Sequence, residues 1–363
     1  MNPVTTVIIN PRDRYSGLAG CIEALYRCTP ELFHLWVLDL GYPPKIIDPV
    51  RKLLAGRENA RIVDIGLATP MDALRAVRDE IATPSVVLLD NDSRVTEGWL
   101  PPLMRAMRDG AAVVSPLILE HEGLDRGAPL RNHLSTAELR VVDVERTPYL
   151  IEQKYDRRAD VDSLSRRRAP TGTFELHCVL FSAPTFKAIE LPSMVIREHL
   201  DISLQVFARG ESIMVEPESV VTFDNLATRM ELADMRFFFH RWNKKLTESS
   251  SRLFERRWGY RFYSEQSMYN WVFRRKTFLL LRWLRIPTGL ANVLTNIAKR
   301  LMRRDWDPLS DPEGASRRLL DEGVPRQLSH EIGGETPAVK LSGVRAKNSS
   351  PLPLAGEAAR KGG

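Results

Sequence analysis

An α/β domain on a mostly parallel central sheet, flanked by helices, is the fold class this sequence predicts. Two observations carry that reading. Short aliphatic, β-branched runs alternate with helix-spaced stretches of about ten residues through the first half of the chain. The strand-like runs are apolar at successive positions rather than at every second one, as strands covered on both faces must be.

Val4–Ile9 is the first such run. Leu18–Tyr26 then places Leu18, Cys21, Ile22 and Leu25 at helical spacing. Leu35–Leu40 forms a second strand, closed by Gly41 and the Pro43-Pro44 pair. Ile46–Leu54 reads as a helix, Arg61–Ile65 as a third strand and Met71–Ile81 as a helix. Ser85–Leu89 is a fourth strand that runs into Asp90-Asn91-Asp92. Trp99–Met107 is helical and Ala111–Leu119 extended. Ligands of such sheets gather at the carboxyl ends of the strands, which puts the loops after Ile9, Leu40 and Leu89 on one rim. Residues 120–170 read as a long loop or lid with some strand around Leu139–Val144. Order returns at Thr173–Phe181 and Phe186–Glu190, followed by a helix over Glu198–Arg209, extended runs at Ser212–Val215 and Ser219–Phe223, and a helix over Leu232–Leu246. The expected division is a catalytic domain over 1–245, a basic, aromatic-rich helical extension over 246–310, and a disordered tail over 311–363. The tail is rich in Gly, Pro, Ser and charge and poor in aromatics.

The chain has 363 residues, 43% of them hydrophobic and 27% charged, enough apolar content to bury a real core. Its net charge of +6 permits attraction to phosphates, nucleotides or anionic lipid. Cys21, Cys28 and Cys178 are spaced neither as a disulfide framework nor as a zinc site, so reduced thiols are expected. The start lacks the features of a signal peptide, and no window reaches the roughly 18 apolar residues of a spanning helix. A cytoplasmic protein is the expectation.

Four groups of residues could carry chemistry. Asp90-Asn91-Asp92 presents two carboxylates at the end of a buried strand. Hard divalent cations bind through a few such oxygens together with ligand phosphates, although Asp and Asn also end strands simply as turn formers. Arg197-Glu198-His199-Leu200-Asp201 opens an amphipathic helix. Glu198 and Asp201 lie three apart on one face with His199 turned away, so the group reads either as a general-base cluster or as acidic helix capping. Asp39 ends the second strand, where a carboxylate can accept hydrogen bonds from a base or ribose. Asp234, with Phe237, Phe238, Arg241, Trp242 and Lys244, offers cations for a diphosphate and an aromatic wall for a sugar, or else a packing helix with a solvated basic face.

Taken in order, these pieces resemble glycosyltransferase family 2 and its GT-A fold over about residues 3–245. Val4–Ile9 is similar to the family's first strand, with Asn10-Pro11-Arg12-Asp13-Arg14 in place of its usual Pro-Thr-Tyr-Asn-Arg loop. Asp90-Asn91-Asp92 is similar to the DXD-type metal motif. Glu198-His199-Leu200-Asp201 resembles the acceptor-side Glu-Asp-X-Asp motif, with His199 at the second position. Glu216–Val221 and Asp234, Phe238, Arg241 and Trp242 resemble the end of the same domain in a bacterial subgroup. The resemblance implies that Asp92 holds Mg²⁺ or Mn²⁺, with Asp90 near the ribose and Asn10, Asp39, Arg241 and Trp242 on the nucleotide-sugar donor. It implies a base drawn from Glu198, Asp201 and His199, in that order. Many members carry a metal-binding His after the last strand. Phe223-Asp224-Asn225 stands there in this chain, so either Asp224 substitutes as the third ligand or metal affinity is lower. The implied reaction is an inverting transfer from a nucleoside diphosphate sugar to the hydroxyl of a glycan or lipid-linked acceptor, in envelope or extracellular glycan synthesis. The processive members' Gln-X-X-Arg-Trp motif is incomplete, since its Gln is missing before His240-Arg241-Trp242, so transfer of one or a few sugars is expected.

Two rival readings remain: a catalytically idle nucleotide-sugar-binding relative, and a nucleotidyltransferase. The second usually needs a Gly-rich loop after its first strand, and Asn10–Gly17 contains only Gly17. Residues 268–304 mix Trp, Phe and Leu with Arg and Lys. They read either as a peripheral contact with an anionic membrane or as helices packed on the catalytic domain. No nucleic-acid module accompanies these charges, and no nucleic acid is expected as a partner.

Overall fold

The structure, a computed structural model, describes residues 5–121, 129–144, 146–223, 231–262, 273, 276–301 and 325–327. Its first part winds β1 (Thr5–Asn10), α1 (Leu18–Cys28), β2 (Phe33–Asp39), α2 (Pro44–Leu54), β3 (Ala60–Asp64), α3 (Pro70–Val77) and β4 (Ser85–Asp90). These four strands are mutually parallel, in the order β4-β1-β2-β3. The chain thus moves outward from β1 to β3 and then returns to the other side of β1. That reversal opens a crevice at the carboxyl ends of β1 and β4, where ligands of open α/β sheets settle. Asn10 and Asp90 are register partners at its floor.

β5 (Ser93–Val95), α4 (Leu100–Arg108), β6 (Val113–His121) and β7 (Leu130–Leu134) follow. β8 (Ala137–Val144) and β9 (Thr147–Lys154) form an antiparallel hairpin outside the main sheet. The region expected as a lid is therefore largely strand. β10 (Ala169–Pro170), β11 (Cys178–Ser182), α5 (Ala183–Ala188), α6 (Glu198–Ala208) and β12 (Ile213–Phe223) come next. The two extended runs expected near 212 and 219 are one strand, bulged between Glu216 and Val220. β11 enters between β4 and β6 antiparallel to both, while β12 runs parallel to β6.

One continuous apolar cluster joins Val7–Ile9, Leu35, Val37, Val86–Leu89 and Val179–Phe181 to Leu18, Ile22 and Leu25 of α1 and Leu100 and Leu103 of α4. Each such side chain contributes about 1.5–3 kcal/mol on leaving water, so this cluster fixes the positions of the strand ends. The three cysteines are free and buried.

α7 (Asp234–Arg241) and α8 (Lys244–Trp258) replace the single helix expected over 232–246, with Asn243 capping the second through a bond from the Lys245 N–H, 2.9 Å. β13 (Arg261–Phe262), helical residues 276–283, α9 (Thr288–Leu301) and β14 (Pro325–Gln327) follow. β13 pairs with β9 and β14 with β8, giving a second sheet in the order β13-β9-β8-β14. Pro325–Gln327 lies inside the stretch expected to be disordered, and for these three residues a hairpin edge supplies backbone partners. No helix among the described residues is long and apolar enough to cross a membrane.

Candidate active site

The crevice is built from strand ends and one tight loop. Asp90 is the last residue of β4 and Asp92 follows its turn; they are 5% and 2% exposed. Asn91, between them, is structural, since its amide donates to the Arg14 carbonyl (2.7 Å) and to the Tyr42 hydroxyl (3.0 Å). Gly17 makes the turn possible. A Cβ there would stand 2.6 Å from the Asn91 carbonyl oxygen and 2.8 Å from the Asp92 Cα.

An arginine faces each carboxylate. Arg14 Nε lies 3.4 Å from Asp92 Oδ2. Arg12 Nε lies 3.5 Å from Asp90 Oδ2, and its Nη1 donates to Glu198 Oε1 at 3.2 Å. One guanidinium therefore touches both the strand-end carboxylate and the helix-start carboxylate. Burial opposes the Arg12 charge, but Asp90 and Glu198 outweigh it and raise its pKa. Burial dominates the acids: Asp90 is pushed up to about 8 against the opposing Arg12, and Asp92 to about 6 against Arg14.

Sequence reasoning missed His177. β11 pairs with β4 in the register Cys178↔Leu89, and the Asp90 N–H donates to the His177 carbonyl at 3.1 Å. The imidazole Nδ1 then lies 3.0 Å from Asp90 Oδ2, and the ring stacks on Phe223, centroids 3.8 Å apart. Burial and Arg12 lower its pKa to about 3, so the ring is neutral. Asp90, Asp92 and His177 each offer a ligand atom, all within 4.8 Å of one another. Asp90 Oδ2, Asp92 Oδ1 and His177 Nδ1 are buried without a hydrogen-bond partner. Two hard carboxylate oxygens with a neutral imidazole suit Mn²⁺ or Mg²⁺, so these residues fit a divalent cation. Asp224, the sequence candidate for the third ligand, lies outside the described residues.

The three base candidates part company. Glu198 enters α6 from Arg197, whose left-handed backbone (φ 64°) turns the helix start into the crevice. Its Oε2 is buried without a partner. Asp201 is fully buried on the far side, where Arg257 Nε (2.8 Å), Trp258 Nε1 (2.9 Å) and Gln205 Nε2 (2.6 Å) donate to its oxygens. It joins α6 to α8 and has no oxygen left for a substrate proton. His199 Nε2 lies 3.6 Å from Glu152 Oε1 in a pocket shared with Glu175 and Lys154. Burial disfavours its charge, yet Glu152, Glu175 and Glu198 prevail and raise its pKa.

The α7 residues also serve differently from expectation. Arg241, 2% exposed, pairs with Asp13, donates to the Arg12 carbonyl (3.0 Å) and lies 3.6 Å from Glu198 Oε1. Trp242 donates its indole N–H to Asp13 Oδ1 (2.8 Å) and packs with Val195, Ile196 and Phe238, so it walls no sugar pocket. Burial works against the Asp13 charge, but Arg241, Arg12 and that indole hold its pKa below the ordinary value. Arg241 and Trp242 thus brace the loop that carries Arg12. Lys244 is exposed and paired with Glu248. Asp234 accepts the N–H groups of Tyr15 (2.7 Å) and Ser16 (2.8 Å), which also fixes that loop. Asp39 accepts the N–H groups of Gly41 and Tyr42, with Arg51 at 3.5 Å, and Asn10 donates to the Pro70 carbonyl at 2.9 Å.

Residues 6–165 match the family described as Glycosyl transferase family 2. No curated protein matches the chain. Among solved structures, that of GalNAc-T7 with UDP, GalNAc and Mn²⁺ is similar at a TM-score of 0.46 and 12% identity, covering 69% of this chain and 50% of that one. The chain thus spans about half the length of that solved relative. The matched segment contains β2 to β4, nearly all of β1 and both strand-end carboxylates, so the chain is similar to glycosyl transferase family 2 where the crevice is built.

Proposed function

We propose that this enzyme moves a sugar from a nucleoside diphosphate donor to an acceptor hydroxyl, with Glu198 as general base and Asp90, Asp92 and His177 holding Mg²⁺ or Mn²⁺. The observation that carries the reading is Arg12. Its guanidinium contacts Asp90 and Glu198 at once, so the donor-side and acceptor-side carboxylates share one crevice. When bound, the cation offsets the diphosphate charge and favours departure of the nucleoside diphosphate.

The remaining work falls to the chain's own groups. Asp39 and Asn10 lie at the ends of β2 and β1, on the rim where base and ribose would rest. Glu198 Oε2 takes the proton of the acceptor hydroxyl as the acceptor oxygen attacks the anomeric carbon; the bond to the diphosphate breaks on the opposite face, with inversion. A donor diphosphate gives Arg12 a third anion to pair with. Any weakening of its hold on Glu198 frees that carboxylate to meet the acceptor hydroxyl. Arg241 and Asp13 position Arg12, and Asp201 positions α6. The acceptor is a glycan or lipid-linked hydroxyl in envelope or extracellular glycan synthesis, reached from the cytoplasmic side and extended by one or a few sugars.

The test is release of free nucleotide from a panel of UDP-, GDP- and dTDP-sugars with Mn²⁺. Turnover with one donor, reduced at least about 100-fold in Asp92→Ala and in Glu198→Ala, is the expected outcome. Binding of a donor with no turnover on any acceptor would instead make the chain an idle relative.

A further inference from the structure

The outer face of α9 is apolar where a water-facing helix should be polar. Ala291 and Thr295 are buried on one side, while Leu290, Val293, Ile297 and Leu301 are 47–76% exposed on the other. Residues three, four and seven apart share a helix face, so these four make one stripe. The preceding helical residues 276–283 anchor the region. Leu279 is buried and Phe278 half-buried against Val195, Ile196, Phe238 and Trp242, next to the turn that presents Glu198. Outward from that anchor stand Leu280, Trp283 and Leu284, each more than 40% exposed.

Charge selects among the occupants such a surface could take. Between Glu265 and Asp305 the sequence carries nine arginines and lysines and no acid. Arg282, Arg285 and Arg300 belong to the described helical region. A second copy meeting this face across a two-fold axis would set cation against cation. A bilayer bearing anionic headgroups satisfies both features, taking the apolar stripe below its headgroups and the cations among them.

We propose that helical residues 276–283 and α9 form a docking surface for an anionic lipid membrane, on the flank of the domain nearest Glu198. The inference stands apart from the transfer reaction, since no α9 residue belongs to the proposed catalytic machinery. Flotation of the full chain tests it, with phosphatidylcholine vesicles containing phosphatidylglycerol compared with phosphatidylcholine alone. Binding should require phosphatidylglycerol, weaken as salt is raised, and fall at least about tenfold in the double variant Val293→Glu/Ile297→Glu and in Arg285→Glu/Arg300→Glu. All four positions are exposed, so melting temperature and nucleotide release in solution should match the parent. Absence of vesicle binding by the parent chain would overturn the proposal, as would equal binding by the variants. So would a dimer in light scattering that the Val293→Glu/Ile297→Glu change dissolves without any lipid affinity, or retention by duplex DNA in place of vesicles.

Discussion

At the scale of single residues, the crevice holds more negative charge than its arginines stabilise, and burial is the reason. Asp90, with a pKa near 8, keeps a proton at neutral pH that the unfolded chain has already lost. Through Asp90 the folded metal-free protein therefore gains protons relative to the unfolded one between about pH 4 and 8, and that contribution to stability falls as pH rises through the window, while neutral His177 contributes in the opposite sense below about pH 6.5. Asp90→Asn should remove this effect. At pH 8 the variant is expected to be more stable than the parent by a few kcal/mol in metal-free thermal or denaturant unfolding, while losing Mn²⁺ binding in an electron paramagnetic resonance titration. A parent that lost no stability relative to Asp90→Asn between pH 5 and 8 would contradict the cause assigned here. Arg12 makes a second case. In Arg12→Ala, Asp90 loses its internal cation, so Mn²⁺ should bind several-fold more tightly while turnover at saturating metal drops; unchanged affinity would show that the guanidinium does not compete for Asp90. Asp90 and Asp92 were legible in the sequence because an apolar run pointed straight at them. His177 was not, because it reaches the site through a pairing between strands almost ninety residues apart in sequence, and nothing local marks which strand β11 will join.

At the scale of elements, the helix start at Glu198 shows how spacing misleads. Residues three apart are about 60° apart around a helix, close enough to count as one face on a surface but wide enough to serve two neighbours in a buried helix. Glu198 consequently meets Arg12 while Asp201 meets α8. Asp201→Ala should destabilise the fold by about 3 kcal/mol, because Trp258 and Gln205 lose their acceptor and Arg257 keeps only Glu190. Turnover by the folded fraction should stay within a few-fold of the parent, whereas a catalytic base would cost about 100-fold or more. The loop between β4 and β5 makes a separate demand. Gly17→Ala drives a Cβ into the Asn91 carbonyl and the Asp92 backbone, neither of which can rotate away. Lower melting temperature together with weaker Mn²⁺ binding is expected, and a variant with parental values for both would mean that the loop is softer than its packing indicates.

At the scale of the whole molecule, the alternation of strands and helices foretold a parallel sheet, and the reversal between β3 and β4 opens the crevice beside β1. The antiparallel entry of β11 and the separate β8–β9 sheet were beyond local reading, since both depend on partners chosen by the assembled core. That assembly brings the acids of a strand end and a helix start, more than a hundred residues apart, within the span of one arginine. The most direct measurement is Mn²⁺ anomalous scattering from crystals grown with a nucleoside diphosphate. A single strong peak bounded by Asp90, Asp92 and His177, with the Glu198 carboxylate open to the same crevice, is the expected result. A peak held by other residues, or a continuous wall of protein between the ion and Glu198, would contradict a shared donor–acceptor site.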